Sequence, residues 1–194
     1  MEIEIRDIDK ETFEELMPEC RRCLYWEAPE KFGRDEGGKP KVAEDEAITI
    51  KRGWFKKANE TMGSCGKILY ADGKAAGYAQ FATPHLFEKA AEYSRELFPP
   101  GPDGVLISCI YIQSEYQGKG LGTRLLQAVI EDLGEKGCEV LETYSRDDSV
   151  NNASGPTVMY LENGFKVMQT KKWEDGTFSL VRLELCLKSL KSDH

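Results

Sequence analysis

Apolar and polar positions along the chain switch between two periods, and the switches outline its elements. Ile3 and Ile5 alternate with charged neighbours, which predicts a short strand over residues 2–6. Asp9, Glu11 and Glu14 lead into Phe13, Leu16 and Met17 at helical spacing, a helix that Pro18 kinks or restarts toward Cys23. From Leu24 to Lys41 the pattern breaks at Pro29, Gly33, Gly37, Gly38 and Pro40. Tyr25, Trp26 and Phe32 make this loop too aromatic for a plain linker, so it either anchors on the core or folds over a site. Ala47, Ile50, Trp54, Phe55 and Ala58 predict a second helix from Ala43 to Met62, stopped by Gly63. Residues 67–70 and 75–82 read as a hairpin around Asp72-Gly73. Residues 84–104 interrupt the sheet, as a lid or a surface loop, with a short helix over 86–97 and an irregular Pro- and Gly-rich end.

The second half has the stronger pattern. Val105 to Ile112 is an almost wholly apolar run, read as a central strand. After a glycine-rich turn, Leu121, Leu125, Leu126, Val129, Ile130 and Leu133 form one helical stripe, closed by Gly134 and Gly137. Glu139 to Tyr144 predicts a strand, and the intervening helix makes it parallel to the strand at 105–112. A polar loop runs to Gly155, a short helix follows from Pro156 to Asn163-Gly164, and residues 165–171 and 178–187 form a last hairpin. The expectation is a single domain over residues 1–190, with insertions at about 24–42 and 84–104 and a disordered tail at 191–194.

Composition narrows the function classes. The 194 residues carry a net charge of −8 and no long Lys/Arg stripe, which argues against nucleic acid as a partner. No apolar run nears the roughly 18 residues of a membrane helix, and the first six residues alternate as a strand does rather than as a signal peptide, so a cytoplasmic protein without a membrane partner is expected. Of six cysteines only Cys20 and Cys23 are paired in sequence, and His85 and His194 are the only histidines, so no metal site is expected.

The chemistry gathers at Gln117-Gly118-Lys119-Gly120-Leu121-Gly122-Thr123. Glycines at alternate positions at a helix start leave backbone N–H groups uncovered, and the helix dipole adds positive charge, which suits an anion such as phosphate. The P-loop pattern fails because Gly120 follows Lys119, and the dinucleotide fingerprint fails because Thr123 stands where its third glycine belongs. What remains, Gln-x-x-Gly-x-Gly after an apolar strand, resembles the acetyl-CoA pyrophosphate loop of the GCN5-related N-acetyltransferases, the GNAT family. Tyr160-Leu161-Glu162-Asn163-Gly164-Phe165 resembles that family's Tyr-x-x-x-Gly-Phe segment, about forty residues downstream with a strand between.

The resemblance covers nearly the whole chain. It implies an α+β, three-layer fold of the acyl-CoA N-acyltransferase type: a mixed, mostly antiparallel twisted sheet of about 6–7 strands, a splayed parallel central pair and flanking helices. It implies acetyl-CoA as cosubstrate and transfer of its acetyl group to an amine of a small molecule or peptide in a ternary complex. Ile110, Tyr111 and Ile112 then lie along the pantetheine arm, and Gln117, Gly118, Lys119, Gly120, Leu121, Gly122 and Thr123 hold the pyrophosphate. Tyr160 matches the tyrosine that protonates the departing thiolate, since a phenol with an ordinary pKa near 10 keeps its proton at neutral pH. Glu142 matches a strand position where some members place a base; Glu115, Tyr111 and water are alternatives. Asn152 or Ser154 takes the place of an asparagine that contacts CoA in many members. Many relatives dimerise, which makes a homodimer an expectation. A CoA-binding sensor without catalysis shares these features, with Tyr160 arguing against it; a transferase for another acyl-CoA shares them all, and pocket size near Tyr111 decides that case.

Overall fold

The computed structural model describes residues 1–147, 154–173 and 176–185. Within them lie seven strands: β1 (Ile3–Asp7), β2 (Gly66–Ala71), β3 (Lys74–Ala82), β4 (Val105–Ile112), β5 (Val140–Arg146), β6 (Lys166–Trp173) and β7 (Gly176–Glu184). The helices are α1 (Pro18–Arg21), α2 (Glu44–Met62), α3 (Glu88–Glu96), α4 (Leu121–Glu135) and α5 (Thr157–Glu162). The helix expected over residues 9–17 is only a 3-10 turn at Thr12–Glu15. Pro18 begins α1 rather than kinking a helix, because proline holds the preceding Met17 extended (ψ 139°) and fits the first helical turn, where no N–H is needed.

The strands form one sheet in the order β1-β2-β3-β4-β5-β7-β6. Every neighbouring pair is antiparallel except β4 and β5. That parallel pair joins at two places only, Val105 with Leu141 and Leu106 with Glu142. Beyond them β4 stays with β3 as far as Ile112, and β5 stays with β7 as far as Arg146. The two strands therefore part, and a gap opens in the middle of the sheet. The Thr143 hydroxyl, donating to the Ile107 carbonyl at 2.8 Å, crosses its narrow end.

The sheet separates two cores. On one face α4 buries Leu121, Leu125, Leu126, Val129 and Leu133 against Leu69, Ala79, Phe81, Ile107, Ile110, Tyr160 and Val181. Each such side chain contributes about 1.5–3 kcal/mol by leaving water. On the other face α2 and α3 cover an aromatic core. Trp26 from the 24–42 loop packs edge-on to Phe87 and Tyr93 and stacks on Tyr144, so this end of the loop is an anchor. The 84–104 segment is also built in: Tyr93 and Phe98 are buried, and the Tyr144 hydroxyl donates to the Phe98 carbonyl at 2.7 Å. It is part of the core rather than a lid.

One residue decides which side chains of β4 face which core. Gln80 pairs with Cys109, but Phe81 pairs with Ile107, so Ser108 is an extra residue, a bulge. Because strand side chains alternate, one inserted residue moves everything after it to the other face. Past the bulge, Cys109 and Tyr111 face the aromatic core and Ile110 faces α4.

The narrow end of the gap is held from outside. Glu142 is fully buried; its carboxylate accepts from Arg182 Nε at 2.8 Å and from the Gly101 backbone N–H. Its burial, its two partners and its place beside the two rungs give it a bracing role. We predict that Glu142→Ala lowers the free energy of unfolding by about 2–3 kcal/mol, the cost of stripping charged hydrogen bonds from a buried cluster. A urea midpoint equal to that of the wild type would refute the assignment.

Candidate active site

The glycine turn folds as its sequence directs. Gly118 and Gly120 have φ of 71° and 74°, in the left-handed region, and a Cβ at either would meet open space. Gly120 is the N-cap of α4. The first three N–H groups of the helix, on Leu121, Gly122 and Thr123, point back with no carbonyl to receive them. Among the described residues, no hydrogen bond takes any backbone N–H from Gly118 to Thr123. The Gln117 side chain donates to the Ile112 carbonyl at 2.8 Å and ties the turn to the end of β4. Lys119 reaches back to the Glu115 carbonyl at 2.9 Å and lies over the Tyr116 ring.

Beside this turn a glycine-walled cleft of about 520 Å³ runs along the end of β4. Its lining includes Ile110, Tyr111, Ile112, Gln117, Gly118 and Gly122, all expected from sequence, together with Gly155, Pro156 and Met159. A Cβ on Gly122 would sit 3.4 Å from Met159 Sδ, so this glycine keeps the cleft from filling.

A second, aromatic cleft of about 440 Å³ lies on the opposite face of the sheet. Tyr25, Trp26, Phe32, Tyr78, Tyr93, Tyr111 and Phe178 wall it. The two clefts share Tyr111, and the neighbouring residues Ser154 and Gly155 line one each. They therefore meet at the wide end of the gap between β4 and β5.

Tyr160, on α5, lines neither cleft; it is fully buried in the α4-side core, and its hydroxyl donates to the carbonyl of Ser154, a residue that lines the aromatic cleft, at 2.6 Å. A Cβ on Gly155 would lie 3.4 Å from that hydroxyl, so Gly155, which lines the glycine-walled cleft, packs closely against it. Burial pushes the phenol's pKa well above its ordinary value, with the Thr143 side chain opposing slightly.

Not every expected residue converges here. Glu142 lines neither cleft; its carboxylate is held by Arg182 and Gly101, so it is withdrawn as the base. Leu121 packs into the α4 core, while Lys119, Gly120 and Thr123 lie at the helix start. Asn152 falls outside the described residues. Glu115 also lines neither cleft.

Other side chains at the site were not anticipated. Glu19 is the one carboxylate lining the aromatic cleft among the described residues, and it accepts a hydrogen bond from the Tyr111 hydroxyl at 3.3 Å. That contact helps hold the Tyr111 phenol above its ordinary pKa, after burial, the larger cause. Lys51, Tyr78 and Gln80 form the cleft's buried polar floor, with Glu27 behind them. Lys51 Nζ donates to Glu27 at 2.6 Å and to Gln80 Oε1 at 2.9 Å; the Tyr78 hydroxyl donates to Gln80 Oε1, and Gln80 Nε2 to Glu27. The sequence carried a trace of this. Lys51 stands four residues from Ala47 and four from Phe55, a charge on the buried stripe of α2.

Among the described residues no group of three or more His, Cys, Asp or Glu side chains could hold a metal ion, and no helix is long and apolar enough to cross a membrane.

Comparison with known proteins agrees with this layout. The profile of the Acetyltransferase (GNAT) family matches residues 9–162. An N-acetyltransferase from Staphylococcus aureus Mu50 superposes with a TM-score of 0.58 at 21% identity, covering 96% of this chain and 100% of its own. The paiA N-acetyltransferase from Thermoplasma acidophilum, solved with coenzyme A, gives a TM-score of 0.57 at 18% identity over 95% of this chain and 99% of its own. The yncA protein of Salmonella typhimurium, solved with its cofactor acetyl-CoA, gives 0.58 at 18% identity over 99% of both chains. No curated protein sequence matches the chain. At these identities the superpositions establish the fold.

The environment of Tyr160 generates a pH prediction. Its folded-state pKa lies above the unfolded value near 10, so its contribution to stability is complete below that pH and is lost as the pH rises through the folded value. Spectrophotometric titrations of wild type and Tyr160→Phe should give superimposable phenolate absorbance up to about pH 10. An additional ionisation in the wild type below that pH would overturn the placement of this hydroxyl.

Proposed function

The chain belongs to the GNAT acetyltransferase family, and on that premise we propose that it transfers the acetyl group of acetyl-CoA to the primary amine of a small molecule or peptide, directly and within a ternary complex. The observation that carries this reading is the meeting of two clefts at Tyr111 in the sheet's central gap, one of them bordered by unclaimed backbone N–H groups.

The residues fit the donor. The N–H groups from Gly118 to Thr123 and the positive end of α4 suit a pyrophosphate. Beyond Ile107, whose carbonyl Thr143 takes, β4 has no strand partner on its β5 side among the described residues, which leaves strand backbone to pair with an extended, amide-bearing arm. When bound there, acetyl-CoA supplies an acetyl group activated as a thioester.

The chain's own groups then divide the proton transfers. An amine attacks only when uncharged, so its proton must leave first. Glu19 replaces Glu142 in this role, because it is the carboxylate that reaches the aromatic cleft and touches Tyr111. At the other end Tyr160 Oη holds the proton that the departing sulfur requires. The raised phenol pKa keeps this proton on the oxygen throughout the neutral range.

Two measurements test the assignment. Gly120→Glu places a side chain and a negative charge where φ is 74° and the N–H groups converge, so CoA binding by calorimetry should be lost while the variant stays folded. Wild-type affinity would remove the turn from the donor site. Tyr160→Phe and Glu19→Gln should each lower turnover on the order of 10²-fold with CoA affinity intact. Undiminished turnover in either variant takes that residue out of the mechanism.

A further inference from the structure

The floor of the aromatic cleft is unfinished. Lys51 is only 2% exposed, yet it lines the cleft. An ammonium has three N–H donors. Two go to Glu27 and Gln80, and among the described residues no oxygen or nitrogen takes the third; the Trp54, Phe55 and Tyr78 rings lie 5.8–6.0 Å from the ammonium, too far to replace a hydrogen bond. Glu27 Oε2, in the same network, is also buried without a partner. Buried polar groups in folded proteins are nearly always hydrogen-bonded, so a donor left open toward a cavity marks where a ligand atom completes the set.

Charge and spacing restrict what that atom is. The Lys51 ammonium is already balanced by the Glu27 carboxylate at 2.6 Å. The other two charged residues of the lining, Arg146 and Glu19, are of opposite sign. A carboxylate on the ligand would have to displace Glu27 or sit buried beside it, which is costly. An uncharged oxygen meets the open N–H without that penalty. On β3 and β4, Gln80 pairs with Cys109, and Tyr78 with Tyr111, one same-face step further on. Two residues of strand span roughly 7 Å. Gln80, whose side chain accepts from Lys51, thus stands about that far along the strand from Tyr111, where the two clefts meet.

We propose that the acceptor is an amine with an aromatic or apolar body and an uncharged hydroxyl or carbonyl oxygen roughly 7 Å from its nitrogen, and that Lys51 recognises that oxygen. This deepens, and rests on, the acetyltransferase reading above. The aromatic walls hold the body, Lys51 holds the far oxygen, and the nitrogen is left at Tyr111. Lys51 is a specificity residue here and takes no part in proton transfer.

The test is a matched panel of arylalkylamines with acetyl-CoA, read as thiol release: the unsubstituted amine, its ring-hydroxylated form and its ring-carboxylated form, with a short peptide amine alongside. The hydroxylated amine should exceed the unsubstituted one by at least tenfold in kcat/KM, the carboxylated one should be the poorest of the three, and the peptide should fall below the hydroxylated amine. The double variant Glu27→Gln with Lys51→Met keeps the floor uncharged overall, and it should erase the hydroxyl preference, bringing kcat/KM of the hydroxylated amine down to that of the unsubstituted one in the same variant. Equal rates for the three ring amines, a preference for the carboxylate or for the peptide, or a hydroxyl preference that survives in the double variant would each overturn the proposal while leaving the acetyltransferase reading intact. If the double variant does not fold, the wild-type panel alone decides. CoA binding with no turnover of any amine would overturn the underlying reading instead.

Discussion

The structure depends on the failure of two parallel strands to stay together. β4 and β5 share two rungs and then follow other partners, β3 on one side and β7 on the other. Each strand is fully committed on its outer side, so the parting costs the sheet only the ladder that β4 and β5 would have shared. Everything chemical is arranged around the opening. The α4 helix points its start at one mouth, the aromatic core opens at the other, and Tyr160 stands between them.

The bulge at Ser108 makes the opening asymmetric. Were Ser108 taken into a regular ladder, so that the same residues alternated without a bulge, Cys109 and Tyr111 would face α4, and Ile110 would enter the aromatic core. The aromatic cleft would lose the residue it shares with its neighbour. A single unpaired position thus connects two cavities on opposite faces of one sheet. The pairing of buried Glu142 with half-buried Arg182 lies at the other, closed end and braces it.

Much of this architecture was legible in the sequence, and the exceptions have physical causes. The stripe on α4, the hairpin at Asp72-Gly73 and the glycine turn are local signals, and each appears where expected. The bulge left no trace, because the run from Val105 to Ile112 is apolar on both faces and a shift of register changes nothing in its pattern. Glu142 was misread because its fate rests on Arg182, forty positions away in sequence, and on a loop that brings Gly101 beneath it. Glu19 carried no signal, since an exposed acid on a one-turn helix looks like any surface residue. Lys51 did carry one, a charge on a buried stripe, but its meaning depended on Glu27 and Gln80 arriving from a loop and a strand.

The parted strands also bear on how such a sheet avoids sticking to its own kind. A sheet ordinarily has two borders where backbone groups lie unpaired, and each is an invitation to aggregate. This one has the outer borders at β1 and β6 and two more along the inner sides of β4 and β5. The inner pair is set into the body of the protein, with Ile107 and Thr143 at its base almost completely covered. A strand belonging to another folded molecule would have to bring its own sheet with it and could not enter. The recess admits only something thin, extended and unaccompanied, so the same shape that invites a slender ligand turns away a neighbouring copy.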